Sequence, residues 1–174
     1  MKNELQRVLL AIEAGRVKRC HCFPTNSDPT VGLHVFGAVS MLLILCPDPT
    51  INMIKALQFH DMAERFLGDM PAPAKRKDSF LSDHYITLER KILREYGMYP
   101  ILNEREREWV HAMDLMEFLM FIKHELNLGN KYAQQRYNRI CKYIEETKLP
   151  MPAYKFYTNN LRIHQTVELD DGDF

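Results

Sequence analysis

His60-Asp61-Met62-Ala63-Glu64, followed by Gly68-Asp69-Met70-Pro71-Ala72-Pro73-Ala74-Lys75, is the stretch on which the reading of this 174-residue chain turns. It sets an imidazole and two carboxylates in the middle of an otherwise apolar helical pattern that includes Ile51, Ile54, Leu57 and Phe59. Buried without partners, such groups cost several kcal/mol, so a metal ion or an internal network must satisfy them. On a continuous helix ending near Gly68, His60 and Glu64 are four residues apart and Asp61 and Glu64 three, so all three share one broad face.

Outward from that stretch, helix signals are frequent and strand signals nearly absent. Residues 2–14 place Leu5, Val8, Leu9 and Ile12 on one face, and Gly15 is a plausible stop. A loop follows to Asp28. Asp28-Pro29 and Asp48-Pro49 each read as an N-cap followed by a first-turn proline. The helix after Asp28 is apolar almost all round, which predicts an enclosed position, with Gly32, Gly37 and Ala38 allowing close approach of neighbours. Pro71 and Pro73 predict an extended loop. Leu81, Tyr85, Leu88, Ile92 and Tyr96 follow helical spacing from Asp78 to Gly97, and Asn103 with Glu106 forms a capping-box pattern for a long helix to about Leu126. Asn130 starts another helix. Residues 1–150 read as one all-α domain, and 151–174, from Met151-Pro152 to the acidic Glu168–Asp173, as an irregular tail packed on it.

Lys plus Arg and Asp plus Glu balance at 23 each, which argues against broad attraction to nucleic acid or an anionic membrane. Local basic clusters remain at Arg16-Lys18-Arg19 and Lys75-Arg76-Lys77, enough for a small phosphorylated ligand. The longest apolar stretch, Val31 to Cys46, is shorter than the ~20 residues that span a bilayer. Cys20, Cys22, Cys46 and Cys141 form no paired C-x-x-C units, so reduced thiols in a cytoplasmic protein are expected.

Two further polar residues sit in apolar helical runs, His34 and Asp114. Together with His60 and Asp61 they make an ordered set spread over three helices, and bundles build metal sites by projecting such ligands inward. Two imidazoles and two carboxylates suit a divalent zinc, cobalt or manganese ion. Taken singly, His34 reads as a hydrogen-bonded core histidine and Asp114 as a partner for a helix end or an Arg. His111 and Glu117, three residues either side of Asp114, are candidate partners of a metal ligand. His21, His84, His124 and His164 show no ligand spacing. Cys20-His21-Cys22 reads as pocket lining or plain loop; as lining, Cys20 and Cys22 would form a base or sugar wall.

The order Arg19…His34…His60-Asp61-x-x-Glu64…Gly68-Asp69-x-Pro71-x-Pro73-x-Lys75…Asp114 resembles the compact, YfbR-like 5′-deoxynucleotidase branch of the HD-domain phosphohydrolases, over about residues 5–125. In length the chain is also similar to phage dATP triphosphohydrolases of the DatZ type. The resemblance implies a compact HD-domain helical bundle with a divalent metal on His34, His60, Asp61 and Asp114. It implies Glu64 in proton transfer, Asp69 on the deoxyribose, and Arg19 and Lys75 on phosphate oxygens. The implied activity is hydrolysis of dATP, and of dADP and dAMP, to deoxyadenosine and phosphate or polyphosphate, removing dATP from the nucleotide pool. A general 5′-deoxynucleotidase acting on monophosphates, or a non-catalytic metal-binding module, are the alternatives. A homo-oligomer (dimer or hexamer) in the cytoplasm, or in the host cytoplasm if phage-encoded, is implied as well.

Overall fold

The computed structural model describes residues 2–163; His164 and the acidic end from Glu168 to Asp173 lie outside the described residues. Helices dominate: α1 (Glu4–Ala14), α2 (Val31–Leu45), α3 (Ile51–Phe59), α4 (Glu64–Leu67), α5 (Ala72–Lys77), α6 (Ser79–Glu95), α7 (Glu104–Asn127), α8 (Gln134–Glu146) and α9 (Met151–Phe156). A 3-10 turn, Lys131–Ala133, precedes α8, and a π turn, Tyr157–Leu161, follows α9. Among the described residues, the strand-like pairing is a single antiparallel bridge between Lys18 and Thr30. No described helix is long and apolar enough to cross a membrane.

Local chemistry sets the helix ends. Asn103 caps α7 with the reciprocal Glu106 bonds the sequence predicted, and Asp78 caps α6. The two Asp-Pro starts are displaced by two residues, to Thr30 for α2 and Thr50 for α3. At Thr30 the reason is a competing use of the backbone. Pro29 accepts the Arg19 N–H at 3.0 Å and Val31 donates to Val17 at 2.9 Å, so 29–31 is extended against 17–19 and α2 starts only after it. The proline loop is also corrected: Pro71 is the N-cap of α5, and Pro73 falls in its first turn, where a missing N–H leaves no bond unmade.

The main core lies between α2, α3, α7, α8 and α9. Leu42, Leu57, Met113, Met116, Leu119 and Ile122 are fully buried there, each stabilising the fold by about 1.5–3 kcal/mol. The expected irregular tail is corrected for residues 151–161, which are helical. Ala153, Tyr157 and Leu161 enter the same core, and the Leu161 carbonyl accepts the Tyr137 hydroxyl at 2.7 Å. A smaller core joins Leu10 and Ala14 of α1 to Met62, Ala63, Leu93 and Met98.

Two apolar faces differ from expectation. On α1, Leu5, Val8, Leu9 and Ile12 point outward, while Leu10 and Ala14 are buried. On α2, one face packs on α3 and α7, but Phe36 and Ile44 are exposed, so the helix is not enclosed in the single chain. Gly32 permits the expected close approach: its N–H reaches the Gly15 carbonyl at 3.0 Å, where a Cβ would sit 2.9 Å from the same oxygen.

Candidate metal centre and pocket

The His60–Glu64 stretch is not one helix. α3 ends at Phe59, and i→i−3 bonds (Met62 to Phe59, Glu64 to Asp61, Arg65 to Met62) carry the chain into α4 as a tight turn. In such a turn side chains three apart eclipse, so Asp61 and Glu64 project the same way. His60 sits at the start of the turn, and its Nδ1–H donates to the Leu57 carbonyl at 2.8 Å, which leaves Nε2 facing inward.

His34, in the first turn of α2, meets that Nε2. The two Nε2 atoms are 3.2 Å apart, and His34 Nε2 lies 2.9 Å from Asp114 Oδ1 on α7. Asp61 Oδ2 is 3.2 Å from His60 Nε2 and 3.7 Å from His34 Nε2, and Asp114 Oδ1 is 3.6 Å from His60 Nε2. Thus His34, His60 and Asp61, three of the four side chains picked from the sequence, have the mutual spacing of a metal-ligand group, and Asp114, the fourth, lies against both imidazoles. Asp114 is less buried than its apolar sequence context implied, because it opens onto a pocket.

The hydrogen-bond partners decide what this point can hold. His34 Nδ1–H donates to Glu117 on α7, in a close contact. With both Nδ1 atoms used as donors, both Nε2 atoms present lone pairs, and the carboxylates add two more acceptors. Such a set of nitrogen and carboxylate acceptors is suited to a divalent cation. Ligand atoms about 2.0–2.2 Å from a zinc-like ion lie roughly 3–3.5 Å apart, in keeping with these separations. Burial alone would lower the affinity of His34 and His60 for a proton, yet the facing carboxylates raise both pKa values, His60 well above its ordinary value. Burial would likewise raise Asp114, but hydrogen bonds to the two imidazoles hold it well below the carboxylate range, and Asp61 falls to about 2 beside His60 and Arg19. This field favours positive charge at the junction of the helices.

Glu117 reaches His34 because residue 37 has no side chain: a Cβ on Gly37 would meet Glu117 Cγ at 2.8 Å. Of the two candidate partners flanking Asp114, Glu117 takes the role, while His111 is exposed and pairs with the Tyr143 hydroxyl.

Glu64 stands beside the centre and is 6% exposed, with Oε2 buried and lacking a hydrogen-bond partner among the described residues. Burial, then the nearby Asp61 charge, push its carboxyl up to about 8. A buried carboxylate oxygen without a partner among the described residues, in the pocket that Asp61 and Asp114 also line, is suited to receive or return a proton of a ligand held there.

A pocket of about 600 Å³ opens in front of this group, with Asp61, Glu64 and Asp114 among its lining residues. Of the expected substrate residues, Arg19, Cys20, Cys22, Asp69 and Lys75 all line it. Their contacts refine the expectations. Arg19 donates to Asp61 Oδ2 at 2.7 Å, which fixes one end of its guanidinium against a candidate ligand. Asp69 accepts the N–H of Cys20 at 2.9 Å, and Cys20 is held at φ 59°, a left-handed conformation uncommon outside glycine. Burial raises the Cys20 thiol to about 12, so it presents a neutral surface. Lys75 Nζ lies 4.8 Å over the Tyr85 ring, whose hydroxyl donates to the Gly68 carbonyl.

Several lining residues escaped the sequence reading: Phe23, Leu115, Phe118, Arg136 and Arg139. The arginines are three apart on α8, a spacing legible in the sequence but indistinguishable there from a solvated face. Glu125 was missed too. Fully buried at the end of α7, it accepts bonds from the N–H groups of Asn26 (2.7 Å) and Ser27 (3.0 Å), from the Ser27 hydroxyl, and from Asn130 Nδ2 (2.7 Å). These bonds latch loop 16–30, and with it Arg19 and Cys20, to the bundle. His21 and His84 are exposed, as expected, and His124 is exposed at the mouth of a smaller cavity behind His34.

No protein-family model matches the chain, and no curated protein matches it. Solved structures do. An HD-domain phosphohydrolase from Listeria innocua superposes with a TM-score of 0.73 at 15% identity, covering 90% of this chain and 86% of its own. The fold is that of the HD-domain phosphohydrolases. The PH0347 protein of Pyrococcus horikoshii OT3 superposes with a TM-score of 0.70 at 18% identity, over 90% of this chain and 97% of that one. Cyanophage S-2L DatZ, an HD phosphohydrolase whose structure holds dA and one catalytic Zn2+ ion, matches at 0.61 and 17% identity over 89% and 91%. At these identities the likeness to the HD-domain proteins is one of fold.

Proposed function

We propose that this chain is a metal-dependent deoxynucleotide phosphohydrolase, acting on dATP, and on dADP and dAMP, to give deoxyadenosine and phosphate or polyphosphate. One observation carries the reading: four acceptor side chains gather where Asp61 and Asp114 line a pocket, beside a buried carboxylate oxygen that has no hydrogen-bond partner among the described residues. His34, His60, Asp61 and Asp114 would hold a divalent ion such as zinc, cobalt or manganese. When bound, such an ion acidifies water and polarises a phosphoryl oxygen. Glu64 would take the water's proton at Oε2 and return it to the leaving sugar oxygen. Its raised pKa keeps both states within reach near neutral pH. Glu117 holds the His34 ring in the tautomer that presents Nε2, and Leu57 does the same for His60.

Arg19 and Lys75 would bind phosphate oxygens, Arg19 through the N–H groups not used on Asp61. Cys20 and Cys22, with Phe23 and Phe118, would form the apolar wall for base or sugar. Asp69 would contact the deoxyribose with the oxygen not engaged by Cys20. A self-associated state belongs to the same proposal, with Leu5, Leu9 and Ile12 of α1 covered by a second copy, and light scattering would read it.

The test is side-by-side kcat/KM for dATP, dAMP, dGTP, dTTP, dCTP and ATP with each metal. A preference for dATP with tripolyphosphate as co-product supports the reading. Comparable rates on all deoxymonophosphates, with triphosphates inert, would replace it by a general 5′-deoxynucleotidase. Metal binding without any phosphate release would leave a non-catalytic module.

A further inference from the structure

We infer that the pocket grips a polyphosphate chain between two cationic walls, Lys75 and Arg76 on α5 and Arg136 and Arg139 on α8, and that Arg139 sets the preference for triphosphates over monophosphates. This rests on the hydrolase reading above and deepens it by assigning the site's second half.

The argument is one of uncompensated charge. All four cations line the pocket that contains Asp61, Glu64 and Asp114. Among the described residues none of the four has a carboxylate within ion-pair distance, whereas Arg19 is already paired with Asp61. Two of them rest on aromatic rings, and Glu89, which feels the charge of Lys75, stays beyond ion-pair distance. Lys75 lies over the Tyr85 ring. Arg136 stacks 3.7 Å from the centroid of the Phe23 ring and donates to the Tyr132 carbonyl at 3.0 Å, so its guanidinium is fixed in place with its charge intact.

Helix geometry places the α8 pair. Tyr137 and Ile140 are buried against the core, and Ile140 also reaches the pocket. Arg136 and Arg139 immediately precede them, three residues apart, so both flank one edge of the groove. A monophosphate carries about two negative charges, and each further phosphate adds roughly one. A divalent ion and Arg19, set against the carboxylates of Asp61, Asp69 and Asp114, leave about no net charge, so the nucleotide's own charge falls to the four further cations. Four additional cations in one pocket match a longer chain, and arginine's planar fork suits its paired oxygens.

The experiment compares wild type, Arg139→Gln and Arg139→Lys, with folding checked by circular dichroism. The ratio of kcat/KM for dATP to that for dAMP is measured with manganese present. Calorimetric titration with inorganic tripolyphosphate and with orthophosphate gives a second, turnover-independent reading. Arg139→Gln is expected to lower both the ratio and tripolyphosphate affinity by roughly 10- to 100-fold, the span for losing a charge-assisted hydrogen bond, with partial recovery in Arg139→Lys. An unchanged ratio and unchanged tripolyphosphate affinity would overturn the inference while leaving the hydrolase. A wild type that turns over no nucleotide, but loses tripolyphosphate affinity in Arg139→Gln, would sustain the cationic walls and remove the hydrolase.

Discussion

Replacing Glu125 by Gln tests how loop 16–30 is held. The carboxylate is fully buried and gathers donors from Asn26, Ser27 and Asn130. Burial would raise its pKa, but these bonds hold it down to about 2 against an ordinary 4.5. That difference corresponds to about 3 kcal/mol of stability at pH 7. The sign follows from the direction. A depressed carboxyl stabilises the fold above its unfolded value near 4.5, and that contribution is lost as pH falls through about 2, so less than half of it remains at pH 3. Glutamine keeps the shape but turns an NH2 group toward backbone donors. For a chain of this length we expect Tm to drop by roughly 6–12 °C at pH 7. Urea titrations of wild type and variant from pH 7 to pH 3 should show the gap closing. Because Arg19 and Cys20 lie on the latched loop and no candidate ligand does, kcat should fall with metal content unchanged. A stability penalty that is absent at pH 7, or equally large at pH 3, would refute the latch.

His34→Ala, His60→Ala, Asp61→Ala and Asp114→Ala should each lower bound metal, read by elemental analysis, and abolish hydrolysis; full metal content in His34→Ala would break the four-ligand set. Glu64→Ala should keep its metal while turnover falls by ~10²–10⁴. Equal metal loss there would make Glu64 a ligand instead. Gly37→Ala puts a methyl against Glu117, so metal affinity should weaken by about 10–100-fold, the span for losing a ligand's orienting partner, with the ligands themselves untouched. Truncation after Pro150 removes Ala153, Tyr157 and Leu161 from the core and should abolish the cooperative unfolding transition, whereas a sharp wild-type-like melt would show that α9 is dispensable.

Much of the centre was legible because its chemistry is written in residue type. An imidazole or carboxylate in an apolar helix needs a partner, and His34, His60, Asp61 and Asp114 all stood out on that ground. What the sequence could not show was which way backbone hydrogen bonds would be shared. Asp28-Pro29 is a sound helix start, but pairing of Pro29 and Val31 with loop 17–19 moved the start to Thr30. The His60–Glu64 run looked like continuous helix because helical spacing and a three-residue turn both bring Asp61 and Glu64 together. Proline misled twice, at Pro71–Pro73 and Pro150–Pro152, since a proline pair opens a helix as readily as it forbids one. Glu125 and the α8 arginines were invisible for another reason. A charged residue on a polar helix end reads as solvated until tertiary structure brings a loop or a pocket against it.

The order in which the polypeptide is made adds a consequence to the helical close of the core. Ile140 is the last pocket residue in the chain, so every side chain of the pocket exists before Tyr157 and Leu161 do. Those two arrive about twenty residues later, which at ribosomal speeds of about 5–20 residues per second is roughly 1–4 seconds. For that interval the nascent α7–α8 hairpin exposes the apolar surface that Tyr157 will cover, and the Tyr137 hydroxyl lacks the carbonyl of Leu161. Chaperone dependence of the newborn chain should therefore peak in that window, and slow codons placed between positions 140 and 161 should depress soluble yield more than the same codons placed earlier.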